Sequence, residues 1–239
     1  MKVEFSPAFI LHQRPYRETS LLLDVFSQQF GRLSLIAKGI RKTKRSQQGI
    51  MQLYQPLLLS WSGYGDLQTL TAVEVASARF VLQNNASLCG LYINELLIRF
   101  LPLAEPESEI YRAYEVALEG LQNKTGDEVV LRLFEKHLLM QLGYGLILDK
   151  ESETGLLIQA DNRYVYQADM GLKQWGKAGN RATISGRSLQ HLIDETGFDQ
   201  SSLQEIKQLM RSVINHYLGG KPLQSRQLFA QMQKYAGQH

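Results

Sequence analysis

Residues 8–37 read AFILHQRPYRETSLLLDVFSQQFGRLSLIA: three apolar runs, AFILHQRPY, TSLLLDVF and GRLSLIA, with a polar break after the first and Gly31 opening the third. Runs of this length, rich in aliphatic and β-branched residues and bounded by turn formers, predict strands. Two more follow, YQPLLLSW at 54–61 and DLQTLTAVEV at 66–75, separated by Gly63-Tyr64-Gly65, where a positive φ angle is tolerated at little cost. Five such strands within the first 80 residues suit a small barrel. An OB-fold, whose open face and loops bind single-stranded nucleic acid, fits this pattern, and so does an SH3-like barrel.

Outward from the barrel the period changes. Leu88, Leu91, Tyr92, Leu96 and Phe100 recur at helical spacing and stop before Pro102. Ile110, Tyr114, Ala117, Leu118 and Leu121 give a second helix, and EVVLRLFEKHLLMQL (128–142) a third. RYVYQA and LKQW, on either side of Asp169-Met170-Gly171, predict a hairpin in an otherwise irregular stretch from Asp149 to Arg187. SGRSLQHLIDE, SSLQEIKQLMRSVINHYL and PLQSRQLFAQMQKY then predict helices, with Ser201 as a cap, Gly219-Gly220 as a stop and Pro222 as a start. The expected class is α+β: an N-terminal five-stranded barrel, then a mainly helical domain carrying a small hairpin insertion.

The whole chain has 239 residues, 44% hydrophobic and 21% charged, close to globular averages. A net charge of +3 is too small to argue for a polyanion partner by itself, so the placement of charge has to carry that inference. Cys89 is the only cysteine, which excludes an intramolecular disulfide and any zinc site built on two or more thiolates. The N-terminus lacks an apolar leader core and no run approaches the ~18 residues of a membrane span. A reduced cytoplasmic protein without membrane anchoring is expected.

Charge is concentrated at Lys38-Gly39-Ile40-Arg41-Lys42-Thr43-Lys44-Arg45, five cations in eight residues directly after the third strand, with Arg32 at that strand's start as a sixth. So dense a cluster repels itself unless a polyanion or solvent ions relieve it, and phosphate contacts with counterion release are the usual relief. A solvated loop is the bland alternative. Stacking platforms for bases would be aromatic: Phe26 and Trp61 are expected in the core, while Tyr16, Tyr54 and Tyr64, beside loops or prolines, are expected at the surface.

Arg132 and Lys136, four apart on one helix face beside Leu133, Leu139 and Met140, could hold a peptide pairing an apolar side chain with a carboxylate; a solvated stripe, with Glu128 paired to Arg132, is the alternative. Lys221 and Arg226 flank a helix-to-helix turn and could touch DNA, though a stop followed by an N1 proline explains the turn without a ligand. The five histidines show no metal spacing, GxSxG is absent, and Gly219-Gly220-Lys221-Pro222 lacks what a phosphate-binding P-loop requires. No catalytic residue, metal ligand or cofactor is assigned.

Five ordered blocks carry a family resemblance: AFILHQRPYRETSLLLDVFSQQFGRLSLIAKGIRK, QPLLLSWSGYGDLQTL, GLYINELLIRFL, LRLFEKHLLMQLGYG and YLGGKPLQSRQLF. The chain resembles the RecO family of recombination mediators over most of its length. The resemblance implies an OB-fold at 1–80, a helical domain at 81–148, a zinc-finger-like hairpin region at 149–187, and C-terminal helices at 188–239 packing on the helical domain. Some members hold zinc through cysteines in the third of these; none stands there in this chain, so packing around Tyr164, Tyr166 and Trp175 must organise it.

The implied activity is non-enzymatic. It comprises binding of single- and double-stranded DNA, annealing of strands coated by single-stranded DNA-binding protein, and help in loading RecA with RecR. Lys38, Arg41, Lys42, Lys44 and Arg45 would contact phosphates, with Arg32, Tyr54, Tyr64, Lys221 and Arg226 as further DNA-binding candidates. Arg132 with Lys136 would take the C-terminal tail of the single-stranded DNA-binding protein. An RNA-binding OB-fold, a metal-dependent nuclease using carboxylates such as Asp24 and Glu74, and a pure protein adaptor remain the rival readings.

Overall fold

The computed structural model describes residues 2–40, 49–144, 146–176 and 182–236. Five strands, β1 (Lys2–Tyr16), β2 (Ser20–Ser27), β3 (Gly31–Ala37), β4 (Leu57–Ser62) and β5 (Leu67–Val75), close into a barrel of order β1-β2-β3-β5-β4. All neighbours run antiparallel except β3 and β5, which are parallel. This is the OB-fold order, and the SH3-like alternative falls away.

One long strand closes the barrel. β1 extends over 15 residues, six earlier than the expected start at Ala8, and pairs with β4 through Lys2–Ala8 and with β2 through Ala8–Tyr16. Pro7 hid that extension, because proline reads as a strand breaker in the sequence, and Phe5 adopts a left-handed φ of 51° within it. Phe5 sits at a bulge between Val3 and Ser6, Pro7 pairs in register with Leu58 just beyond it, and bulges bend a strand enough to serve two partners. A second bulge, between Ile10 and His12, lifts Leu11 out of the alternation and leaves its carbonyl to accept from Asn94 Nδ2 at 2.8 Å.

Alternation sorts the barrel residues into two layers. Ile10, Leu23, Val25, Leu35, Leu57, Leu59 and Trp61 fill the interior, each 1% exposed or less, with Phe30 edge-on to Trp61 at 5.3 Å. Phe9 and Phe26 point the other way and meet Tyr111 and Tyr114 at centroid distances of 5.1–5.5 Å. These tyrosines belong to α2 (Ser108–Gln122), which follows α1 (Asn85–Phe100). Gly31 is required where it stands: a Cβ there would lie 1.8 Å from the carbonyl oxygen of Glu105.

The chain forms two compact units, Met1–Asn123 with Leu223–His239, and Lys124–Pro222. In the first, α6 (Gln224–Ala236) returns to α1, where the Glu95 carboxylate accepts from the backbone N–H groups of Gln224 and Ser225 at 2.9 and 2.8 Å. The second contains α3 (Asp127–Gln141), β6 (Arg163–Gln167), β7 (Gly171–Gln174), β8 (Ile184–Ser185), α4 (Gly186–Asp194) and α5 (Gln200–Tyr217). Its three-stranded sheet has the order β7-β6-β8 and turns between β6 and β7 at Asp169, in left-handed conformation at φ 66°. Tyr164, Leu172 and Ile184 are buried there, and Phe134, Leu189, Leu192, Ile206 and Met210 are buried on the helices.

Two expected boundaries shift. The cap of α5 is Asp199 rather than Ser201, because Asp199 accepts from Ser202 N–H at 2.7 Å while the Ser202 hydroxyl takes the Asp199 N–H, a reciprocal capping box. α6 begins at Gln224, two residues beyond Pro222. The fold is α+β, with a five-stranded OB barrel followed by six helices among the described residues.

Candidate nucleic-acid interface

Lys38 follows β3 directly and is exposed. Arg41, Lys42, Lys44 and Arg45 lie outside the described residues. Tyr64 stands at the turn between β4 and β5 and is 88% exposed, flanked by Gly63 and Gly65 with positive φ angles of 135° and 75°.

Arg32 is not an open phosphate contact. Its Nε donates to the Leu101 carbonyl at 2.9 Å, its Nη1 lies 3.8 Å from the Asp24 carboxylate, and 17% of the side chain is accessible. Burial depresses its pKa, and Asp24 opposes that shift. Arg32 thus ties β3 to the segment leaving α1, an association no local pattern announces because 69 residues separate donor and acceptor.

Tyr54 is likewise a correction. Neighbouring prolines suggested exposure, but it is 5% exposed, donates to the Ser87 carbonyl at 3.3 Å, and is pushed well above the ordinary phenol range by burial. Its ring occupies the space beside Gly90, where a Cβ would come within 2.8 Å of it. It packs the barrel's exit onto α1 and offers no platform. Phe26 and Trp61 are fully buried, as the sequence predicts.

Lys221 is exposed in the turn after α5. Arg226 lies over the Tyr92 ring at 5.4 Å and donates to its hydroxyl at 3.0 Å, so much of its charge faces the α1–α6 contact.

The pair on α3 is more buried than a solvated stripe allows. Arg132 is 6% exposed and donates through Nη2 to Glu135 Oε1 at 2.9 Å, with Glu135 fully buried. Glu128 pairs with Lys207 of α5 instead of Arg132. Lys136 is a correction: its ammonium donates to the carbonyls of Leu192 and Ile193 at 2.9 and 3.1 Å and to Glu195 Oε1 at 2.7 Å. It therefore closes the C-terminal end of α4, where unpaired carbonyls and the negative end of the helix dipole attract a cation. No free ammonium is left for a peptide.

Histidines pair with carboxylates: His137 with Glu195 and His216 with Asp169, each at 2.7 Å. Tyr217 also donates to Asp169, at 3.0 Å, and hydrogen bonds from His216 and Tyr217 hold the Asp169 carboxyl below its usual range. Among the described residues no three His, Cys, Asp or Glu come together as a metal site. Among them, too, no helix is long and apolar enough to cross a membrane.

Sequence reasoning named Tyr16 as an exposed aromatic but passed over its neighbours Arg14 and Arg17. All three stand at the β1–β2 turn, with Arg17 over the Tyr16 ring at 5.3 Å. The signal was present in RPYRE at 14–18, two cations around an aromatic, and was overshadowed by the denser cluster after β3.

Comparison with known proteins matches residues 1–79 to the family model described as Recombination protein O N terminal, and residues 83–227 to Recombination protein O C terminal. A DNA repair protein RecO of Coxiella burnetii (strain RSA 493 / Nine Mile phase I) is 44% identical over 227 residues, covering 95% of this chain and 98% of the relative. Those of Nitrosococcus oceani and Aromatoleum aromaticum are 40% and 39% identical, covering 98% of this chain and 96% and 98% of theirs. The barrel order, the helices behind it and these matches over both halves agree: the chain belongs to the RecO family of DNA repair proteins.

Proposed function

We propose that the protein is a non-enzymatic recombination mediator acting in the cytoplasm. In this reading it binds single- and double-stranded DNA, anneals complementary strands coated by single-stranded DNA-binding protein, and assists RecA loading together with RecR. The observation that carries it is an OB barrel whose strand β3 delivers the exposed Lys38 directly into the sequence Arg41-Lys42-Thr43-Lys44-Arg45. Cations at that density neutralise phosphates, which lowers the repulsion between two strands while their bases stay free to pair. Lys38, Arg41, Lys42, Lys44 and Arg45 are the principal phosphate contacts, with the exposed Lys221 as a subsidiary one and the exposed Tyr64 as a platform for a base.

Binding of a labelled single-stranded oligonucleotide, followed by anisotropy across a salt series, tests the assignment on a variant with Arg41, Lys42, Lys44 and Arg45 all changed to Ala. Each lost phosphate contact flattens the slope of log affinity against log salt by about 0.7. A drop of two units or more is expected. An unchanged slope in a folded variant would move the DNA site elsewhere on the barrel.

Arg132 is the contact we assign to the tail of the single-stranded DNA-binding protein. The family resemblance supports the assignment, and 6% of Arg132 is exposed where a terminal carboxylate could approach. Anisotropy of a labelled acidic peptide with an apolar C-terminus measures this. Arg132→Lys, which keeps a positive charge for Glu135 but loses the forked geometry, should weaken the peptide by roughly 10-fold while the thermal midpoint stays near native. Native affinity in Arg132→Lys would remove the residue from the assignment.

A further inference from the structure

The outward face of β1, β2 and β3 has two unlike ends. At one, Phe9 and Phe26 are sealed by the tyrosines of α2. At the other, the register sets Arg14 opposite Leu22 and Leu22 opposite Ile36, with Tyr16 opposite Ser20 in the next row of the same face. Arg14 is exposed there, while Tyr16, Leu22 and Ile36 are only half-buried. A cavity of about 530 Å³ opens at this end, lined among others by Tyr16, Arg17, Glu18, Ile36, Lys38 and Gly39. Its volume lies within the range of small-molecule sites.

We propose that this cavity takes one unstacked base of single-stranded DNA, laid against Tyr16 and the aliphatic side of Ile36, with Arg17 and Lys38 holding the phosphates on either side. Three observations converge on a base rather than a lone phosphate. The lining is aromatic and aliphatic where a π-face would rest. Its cations, Arg17 and Lys38, come from two different segments, the β1–β2 turn and the exit of β3. Glu18 stands on the same lining, which disfavours an anion inside the cavity and supplies an acceptor for ring or exocyclic N–H groups. Arg17 is held at a left-handed φ of 51°, a conformation seldom adopted by arginine, and its guanidinium lies over the Tyr16 ring. A base paired within a duplex would have to be unpaired and unstacked to enter, so the cavity favours single strands.

This inference rests on the DNA-binding reading above, and it is tested separately from the basic segment. A thymidine oligonucleotide and an abasic backbone of equal length are titrated against the native protein, Tyr16→Leu, Tyr16→Trp and Arg17→Ala. The native protein should prefer the base-bearing strand. Tyr16→Leu should lose that preference by roughly 5- to 100-fold, the range expected for one base–aromatic stack, while Tyr16→Trp keeps it. Arg17→Ala should weaken both strands alike and flatten the salt slope by about 0.7. A native preference surviving in Tyr16→Leu overturns the proposal, even if the quadruple alanine variant of the basic segment loses its affinity. Loss of preference in Tyr16→Leu with an unaffected quadruple variant would instead retain the cavity and reject the segment. Photo-crosslinking of the unaltered protein to a 5-iodouracil strand gives a readout independent of variant folding: an adduct within residues 14–20 is expected, and adducts confined elsewhere overturn the site. An RNA strand of the same sequence bound as tightly, with the same loss in Tyr16→Leu, would overturn the assignment to DNA.

Discussion

Glu205 shows how much one side chain can organise. Its two oxygens accept from Ser185 N–H and hydroxyl, from the Ser188 hydroxyl and from Arg163, at 2.7–2.9 Å, joining β6, β8, α4 and α5. Burial alone would raise its pKa, but these donors together bring it down to about 2, from an ordinary 4.5. The folded protein therefore binds this proton less readily than the unfolded chain. Its contribution to stability is full above pH 4.5 and is lost as pH falls from 4.5 towards 2. Glu195 and Asp199, also depressed, add in the same direction. Glu205→Gln should lower stability at neutral pH and flatten the acid limb of a pH series of urea melts; an unchanged acid limb would remove Glu205 as its source. Lys136 makes the complementary case. Lys136→Met strips donors from two carbonyls and one carboxylate, and should cost about 2–3 kcal/mol in denaturant unfolding. A cost below about 0.5 kcal/mol would make the tether dispensable. The spacing of Arg132 and Lys136 showed in the sequence that they share a face. That this face is buried could not show there, because its acceptors arrive some 56 residues later.

At the scale of elements, the bulge in β1 and helix α1 are one device. The Leu11 carbonyl, freed from the ladder, accepts from Asn94, whose own oxygen accepts from the Tyr114 hydroxyl at 2.8 Å. Asn94→Ala should destabilise by about 1–3 kcal/mol, and combining it with Tyr114→Phe should cost less than the two single changes added, because they break one chain of hydrogen bonds. Additive costs would show that the two bonds act separately. Helix α6 is capped from another helix: Glu95 accepts from the N–H groups of Gln224 and Ser225, and from the Ser225 hydroxyl besides. Glu95→Ala should cost on the order of 1 kcal/mol and speed hydrogen exchange at Gln224 and Ser225 while leaving exchange within β2 and β3 unchanged. The strands themselves were legible, since a period of two over β2 and β3 leaves little choice. The early half of β1 was not, because a proline beside a bulge reads as the end of a strand until the partner β4 is in place.

Across the molecule, net charge understates the capacity to bind a polyanion. The whole chain carries only +3, yet Arg17 and Lys38 line one cavity of the barrel, and four more cations follow Lys38 in the sequence between Arg41 and Arg45. Binding should accordingly weaken steeply with salt, and a native slope shallower than about 2 would leave fewer than three phosphate contacts, too few for the assigned set. The division into two compact units escapes any local reading of periodicity, because the first is assembled from both ends of the chain. That arrangement has a consequence for biosynthesis. The residues of the first unit up to Asn123 leave the ribosome well before Leu223, and the 99 residues of 124–222 must be polymerised in between. At roughly 5–20 residues per second, Glu95 and Tyr92 wait on the order of 5–20 s for the helix that covers them. During that interval a nascent chain exposes the uncovered side of α1 to chaperones, and the first unit reaches its finished form only after the segment beginning at Leu223 has been made.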